Sequence, residues 1–160
     1  MSLVMLGWRE WVSFPELGIQ SIKAKVDTGA RTSALHTFKL EPFDEDGVAK
    51  VRFSIHPYQH DLSVVRECVA NLVDERKVTD SGGHSELRIV ISTPVRLGDI
   101  TKDIEITLTN RENMKFRMLL GRTAMQGDFS VDPAGSYLLG MPKDDVTTQV
   151  PGFHYHSPPL

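Results

Sequence analysis

Asp27, Thr28 and Gly29 follow an apolar-alternating run, Ile19 to Val26, at the point where a strand would turn. These residue types can build a hydrolytic centre. A carboxylate at Asp27 activates water, the small Thr28 hydroxyl anchors the loop by hydrogen bonding, and Gly29 lets backbone pack close to the carboxylate. The plain alternative is a β-turn, because Asp and Gly are both turn formers. A second Asp-Ser-Gly triplet, Asp80-Ser81-Gly82, stands only 53 positions further on, too close for a second lobe with a loop of its own. Ser81, Gly82 and Gly83 read instead as a hairpin tip between strands ending near Thr79 and starting near Glu86.

Four stretches carry a likeness to a known family: Lys23 to His36 around Asp27-Thr28-Gly29-Ala30, Val78 to His84, Leu108 to Arg111, and Phe116 to Met125 around Leu119-Leu120-Gly121-Arg122. Together they resemble the retropepsin-like aspartic proteases that carry the label "ATP-dependent zinc protease". The likeness runs from about Gly7 to Gly140. In retropepsins an apolar segment ending in Gly-Arg, here Met118 to Arg122, lies behind the catalytic loop. The resemblance therefore implies Asp27 as catalytic acid and base, Thr28 and Gly29 as its scaffold, and Ser81, Gly82 and Gly83 as a flap that closes over substrate. Family members occur beside, or fused to, RimK-type ATP-grasp ligases that add glutamates to protein C-termini. A peptidase tied to that modification follows, with such a ligase as partner.

One catalytic Asp per chain requires a second from another copy. Two carboxylates about 3 Å apart cannot both ionise, so the pair shares a proton; one holds the lytic water as base while the other protonates the carbonyl oxygen. The resemblance thus implies a homodimer on a two-fold axis through the two Asp27 loops.

Ala30, Arg31 and Thr32 continue the loop toward the substrate groove. Viral-type retropepsins commonly carry acidic residues where Arg31 and Thr32 stand, so ordinary extended-peptide specificity is not expected here. Guanidinium groups of Arg31 and Arg122 beside the groove suit acidic side chains or a C-terminal carboxylate. For Arg122 an equal alternative is structural: it pins the catalytic loop or the dimer interface.

The zinc and ATP of the family label find no matching motif. There is no His-Glu-x-x-His; His56 and His60 have helical spacing, but Pro57 follows a strand pattern, and His36, His84, His154 and His156 stand singly or in the tail. No Gly-x-x-x-x-Gly-Lys-Ser/Thr loop occurs, so no cofactor is expected. A serine hydrolase lacks its Gly-x-Ser-x-Gly elbow, and Cys68, inside the apolar run Leu62 to Val69, reads as a core strand residue rather than a nucleophile.

The elements that must position Asp27 are strands. Period-two alternation dominates: Val48 to Ile55, Leu87, Ile89 and Ile91, then Ile104, Ile106 and Leu108. Turn residues punctuate these runs at Pro15 to Gly18, Asp44 to Gly47, Ser81 to Gly83, Gly98-Asp99, Asn110 to Asn113 and Asp132 to Gly135. One short helix is expected, Arg122 to Gln126, directly after Leu-Leu-Gly. The fold class is all-β, a retropepsin-like closed barrel spanning 7–140, with 141–160 as an extended or disordered tail rich in proline.

A chain of 160 residues with 40% apolar residues suits one globular domain. The formal charge of −3 with scattered basic residues argues against nucleic acid as partner. A lone cysteine fits a reducing, cytoplasmic compartment, and the N-terminal residues have neither the basic leader of a signal peptide nor a membrane span. The expected reaction is hydrolysis of peptide or glutamyl amide bonds in acidic C-terminal tails. The rival is a non-catalytic module that uses the same groove to bind an acidic tail or a ligase; a metal-dependent peptidase is the third reading.

Overall fold

The computed structural model describes residues 2–58, 60–79, 82–110 and 115–141. Asp80 and Ser81, the turn residues 111–113 and all but the first residue of the expected tail lie outside the described residues. The elements are β1 (Val4–Leu6), β2 (Arg9–Phe14), β3 (Ile19–Val26), β4 (Ser33–His36), β5 (Lys39–Glu45), β6 (Val48–Ile55), β7 (Arg66–Thr79), β8 (Ser85–Leu97), β9 (Ile100–Thr109), β10 (Met118–Leu120), α1 (Arg122–Met125) and β11 (Phe129–Val131). None of the described helices is long and apolar enough to cross a membrane.

Six strands in the order β2-β3-β10-β4-β9-β8 form a barrel that closes where Ser13 of β2 pairs with Arg96 of β8. Closure removes the two free edges an open sheet would present. The alternation read from the sequence fills the interior: Val12, Phe14, Ile22, Ala24, Leu35, Ile89, Ile91, Ile106, Leu108, Met118 and Leu120 are all buried in one continuous core. Each fully buried aliphatic side chain contributes about 1.5–3 kcal/mol, so the barrel is held mainly by this interior.

Strand β7 changes partners along its length. Its first half, from Arg66 to Asn71, pairs with β6, and from Leu72 onward it pairs with β8 as a hairpin that runs up to Thr79 opposite Ser85. A bulge between Leu72 and Asp74 marks the switch. The β5–β6 hairpin turns at Asp46-Gly47, both with positive φ, the backbone a two-residue type I′ loop demands and the reason for Asp-Gly there.

Burial departs from simple alternation in several strands, β6 and β8 among them. In β6, Ser54 is buried while Val48 is exposed, because the hairpin end of this strand projects past the core. In β8, Leu87 is exposed while Ile89 and Val90 are buried, since the β7–β8 hairpin outgrows the barrel before Leu87 is reached.

The first strands are fastened to the last described segment by a contact no periodicity announces. β1 runs parallel to β11, and Glu10 is fully buried. Its Oε2 accepts hydrogen bonds from the N–H groups of Gly7 at 2.7 Å and Leu138 at 2.9 Å, and its Oε1 from Leu139 at 3.1 Å. A buried carboxylate is tolerable when donors replace its lost water. Gly135 accepts from the N–H of Trp8, and the Arg9 guanidinium lies over the rings of Trp8 and Tyr137, 4.6 and 4.8 Å from their centroids.

Candidate active site

The loop from Asp27 to Thr32 joins β3 to β4, and β10 lies between those two strands, parallel to β3 and antiparallel to β4. Each strand of this trio ends at the loop. The Asp27 N–H continues the ladder by donating to the Leu120 carbonyl at 2.9 Å, so the position of Asp27 is fixed by sheet hydrogen bonding.

Gly121 turns the chain from β10 into α1 hard against the loop. A β-carbon there would lie 2.5 Å from the Thr32 carbonyl carbon and 2.8 Å from the Ser33 nitrogen, which is why this position is glycine. The Gly121 N–H donates to the buried Ser33 hydroxyl at 3.0 Å. The start of α1 then clamps the loop through its carbonyls: Arg122 N–H donates to Ala30 at 2.7 Å, Thr123 N–H and its hydroxyl donate to Arg31 at 3.0 and 2.9 Å, and Arg122 Nη1 donates to Thr28 at 3.1 Å.

Within the loop, Gly29 N–H donates to Asp27 Oδ1 at 3.0 Å, which orients the carboxylate. Its other oxygen makes no hydrogen bond among the described residues, and the side chain is half-buried. Thr28 departs from the anchoring role expected of it: it is exposed, and its hydroxyl makes no hydrogen bond among the described residues. The loop is held by backbone donors instead.

Ala30 is half-buried at the loop's far end. Arg31 is exposed and Thr32 half-buried, and both line a cleft of ≈ 270 Å³ with Arg76 of β7, Asp103, Ile104 and Glu105 of β9, and Thr123 of α1. Of the two readings for Arg122, the loop pin is the one its contact supports. Gly82 and Gly83 sit between the paired ends Thr79 and Ser85, at the tip of the β7–β8 hairpin, with φ +84° at Gly83. The β7–β8 hairpin expected there is formed up to Thr79 opposite Ser85, Ser81 of its expected tip lying outside the described residues, and Arg76 in the cleft brings the hairpin's strand beside the Asp27 loop.

The residues weighed for other chemistries have structural places. His36 is buried with Nδ1 2.7 Å from the Thr109 hydroxyl, and the His56 ring stacks on Phe38 at 4.2 Å between centroids. Among the described residues no three His, Cys, Asp or Glu side chains gather in a way that could hold a metal ion. Cys68 lies in β7, buried, its thiol donating toward the Leu17 carbonyl, and burial pushes its pKa up to about 12. Such a thiol is not a nucleophile near neutral pH. Sequence reasoning missed Ser33, whose only signal was its place two residues after Arg31, and Arg76, which carried no signal at all.

Comparison with known proteins agrees with this geometry. The chain is 43% identical over 148 residues to a protein of Shewanella pealeana (strain ATCC 700345 / ANG-SQ1) named "Probable alpha-L-glutamate ligase", covering 92% of this chain and 32% of that one. A protein of the same name from Desulfotalea psychrophila (strain LSv54 / DSM 12343) is 47% identical over 136 residues, 85% of this chain and 29% of the relative. The chain thus spans about a third of the length of the curated relatives it matches. A crystal structure of a protein of unknown function from Legionella pneumophila subsp. pneumophila str. Philadelphia 1 superposes with a TM-score of 0.71 at 25% identity, covering 86% of this chain and 99% of that one. The model of the RimB-like family, described as retropepsin-like aspartic endopeptidase RimB, matches residues 5–142, and the chain belongs to that family.

Proposed function

We propose that this chain is an aspartic-type peptidase that hydrolyses peptide or glutamyl amide bonds in acidic, glutamylated C-terminal tails, as a homodimer in which two Asp27 carboxylates form the dyad. The observation that carries the reading is the Asp27 loop itself: one carboxylate, oriented by Gly29, on a backbone clamped by α1, with an oxygen and the neighbouring Thr28 left facing outward. A two-fold partner loop would supply the second carboxylate. Water then loses a proton to the ionised Asp as its oxygen bonds to the scissile carbonyl carbon, while the protonated Asp donates to the carbonyl oxygen. Collapse of the tetrahedral species breaks the C–N bond, and the proton taken from water leaves with the amine.

Two further facts support the substrate class. Arg31 follows the catalytic loop and lines the adjoining cleft, and the relatives bear the name of a glutamate ligase. A ligase that adds glutamate supplies the tails that such a peptidase would trim, and a ligase chain is the natural partner, in a shared cytoplasmic compartment. We assign residues 7–140 to the catalytic domain. Asp27, Thr28 and Gly29 are its catalytic loop, Ala30, Arg31 and Thr32 its substrate side, and Ser81, Gly82 and Gly83 its flap, with Arg122 holding the loop.

The test is incubation of the purified chain with an oligoglutamylated peptide, wild type against Asp27→Asn. Hydrolysis by wild type, lost in a variant that still folds, is expected; full activity in the variant would end the mechanism. Because no ligand cluster is gathered among the described residues, activity is expected to survive chelators and to need no ATP. The relatives' ligase name favours one second reading, a module that holds the tail for a ligase without cutting it. Tail binding by wild type without any hydrolysis would favour that module.

A further inference from the structure

The ≈ 270 Å³ cleft beside the catalytic loop joins two parts of the chain that the peptidase reading uses separately. Arg31 and Thr32 enter it from the loop, Thr123 from α1, and Arg76 from the flap hairpin. Arg76 stands directly opposite Arg88 across the β7–β8 ladder. Residues directly opposite share a face, and like charges in that relation are unfavourable unless something anionic lies nearby. Asp74, 2.9 Å from Arg76, and Glu86, 3.8 Å from Arg88, supply part of that compensation. It is incomplete, because Arg88 Nε is buried and makes no hydrogen bond among the described residues. The cleft's other wall carries Asp103 and Glu105, both exposed on β9.

Resting on the peptidase reading, we infer that this cleft is an acidic side-chain subsite with two arms, Arg31 on the catalytic loop and Arg76 on the flap strand, tuned by Asp103 and Glu105. A glutamate side chain entering between the arms accepts charge-assisted hydrogen bonds from both guanidinium groups. Asp103 and Glu105 pair with neither guanidinium in the cleft, where Arg76 keeps to Asp74 at 2.9 Å; as fixed negative charges they repel the incoming carboxylate, so they hold affinity down and let product leave. A neutral side chain gains neither contact.

Binding measured without turnover tests this. In the 160-residue Asp27→Asn chain, calorimetric titration with an oligoglutamate peptide is compared with an oligoglutamine peptide of the same length. Adding Arg76→Gln is expected to reduce the glutamate preference by about tenfold, the value of one net hydrogen bond to a charged group. Adding Asp103→Asn with Glu105→Gln is expected to move the preference the other way, by a few-fold, since each removes one charge that repels the carboxylate. This opposite sign is a result that a merely structural role for the cleft does not produce. An unchanged preference in the Arg76 variant, or a weaker one in the Asp103/Glu105 variant, overturns the subsite, as does failure of the oligoglutamate to bind at all. Should Arg76→Gln melt early, the neutralised β9 pair carries the test by itself. Failure of the peptidase reading looks different: oligoglutamate binds with the predicted dependence on Arg76, yet wild type cuts nothing.

Discussion

The Asp27 loop and the clasp between Glu10 and the Leu138-Leu139 segment solve opposite problems with the same bonds. In the loop, the carbonyls of Thr28, Ala30 and Arg31 take donors from Arg122 and Thr123, so the backbone is fixed and the Thr28 and Arg31 side chains are left for something else to meet. In the clasp, a side chain is spent on backbone: the Glu10 carboxylate is fully buried and takes the N–H groups of Gly7, Leu138 and Leu139. A binding or catalytic site needs side chains free on a rigid frame, whereas a structural site needs none. The contrast therefore separates function from stability more cleanly than burial alone, since Asp27 is itself half-buried.

The largest expected loss tests the loop's frame. Gly121→Val would set a branched side chain where even a β-carbon meets Thr32 backbone at 2.5 Å, and neither strand can yield without moving Asp27. A loss above about 3 kcal/mol is expected, read as a drop in denaturant midpoint, with activity gone in whatever remains folded. A wild-type midpoint would show that the loop is not clamped. Next comes the clasp. Glu10→Ala strands three N–H groups, two of them in the partly buried segment that ends the described chain, and should cost about 2–4 kcal/mol; Glu10→Gln, which keeps one acceptor oxygen, should cost roughly half as much. Because Glu10 touches nothing in the loop, kcat per folded molecule should hold in both variants. A fall in kcat matching the stability loss would mean that the two regions are coupled.

The loop was legible in the sequence and the clasp was not, for a physical reason. Asp27-Thr28-Gly29 and Leu119-Leu120-Gly121 are local patterns, and a glycine demanded by backbone contact is visible as a residue type. The β3, β6 and β9 strands were equally visible, because alternation survives wherever one face of a strand packs on the core. Glu10, next to Arg9, reads as an ordinary surface charge, and its partners Leu138 and Leu139 lie 128 and 129 positions away. The partner switch of β7 and the short β1–β11 pair likewise depend on neighbours that periodicity cannot name. Arg76 was illegible for the same reason: its place in a cleft with Arg31, Thr32 and Thr123 depends on where the hairpin carries it.

Cys68 sharpens the comparison from a third position, on β7 opposite Phe53 of β6, buried in the core but outside the six barrel strands. Its thiol is held protonated by burial, with a pKa raised from 9.0 to about 12. Below pH 9 both folded and unfolded chains keep the proton, and the buried thiol's contribution is whole. As pH climbs from 9 toward 12 the unfolded thiol ionises while the folded one does not, so stability is lost with rising pH. Between about pH 8 and pH 10, wild type should lose about 1.4 kcal/mol more than Cys68→Ala. Equal losses would mean that the thiol ionises readily in the folded chain. Alkylation of Cys68 near neutral pH then follows barrel opening, and both Gly121→Val and Glu10→Ala should accelerate it.

The smallest stability effect discriminates most finely. Arg122 is exposed, and its one side-chain contact among the described residues is Nη1 to the Thr28 carbonyl at 3.1 Å. Replacing it with Met keeps much of the aliphatic stem and removes that donor, so the cost to stability should be under about 1 kcal/mol. If its work is to pin the loop, the Asp27 carboxylate loses its fixed position, and misplacement of a reacting group costs rate rather than binding. The expected result is a fall of about tenfold in kcat with KM nearly unchanged, alike for acidic and neutral peptides. The substrate-binding alternative gives the reverse, a KM that rises for glutamate-rich peptides alone while kcat holds. Since Arg31→Gln should produce that second pattern, the two arginines flanking the same loop become each other's control: one acts through backbone, the other toward substrate, and identical kinetic signatures from the pair would erase the distinction between frame and side chain on which the comparison stands.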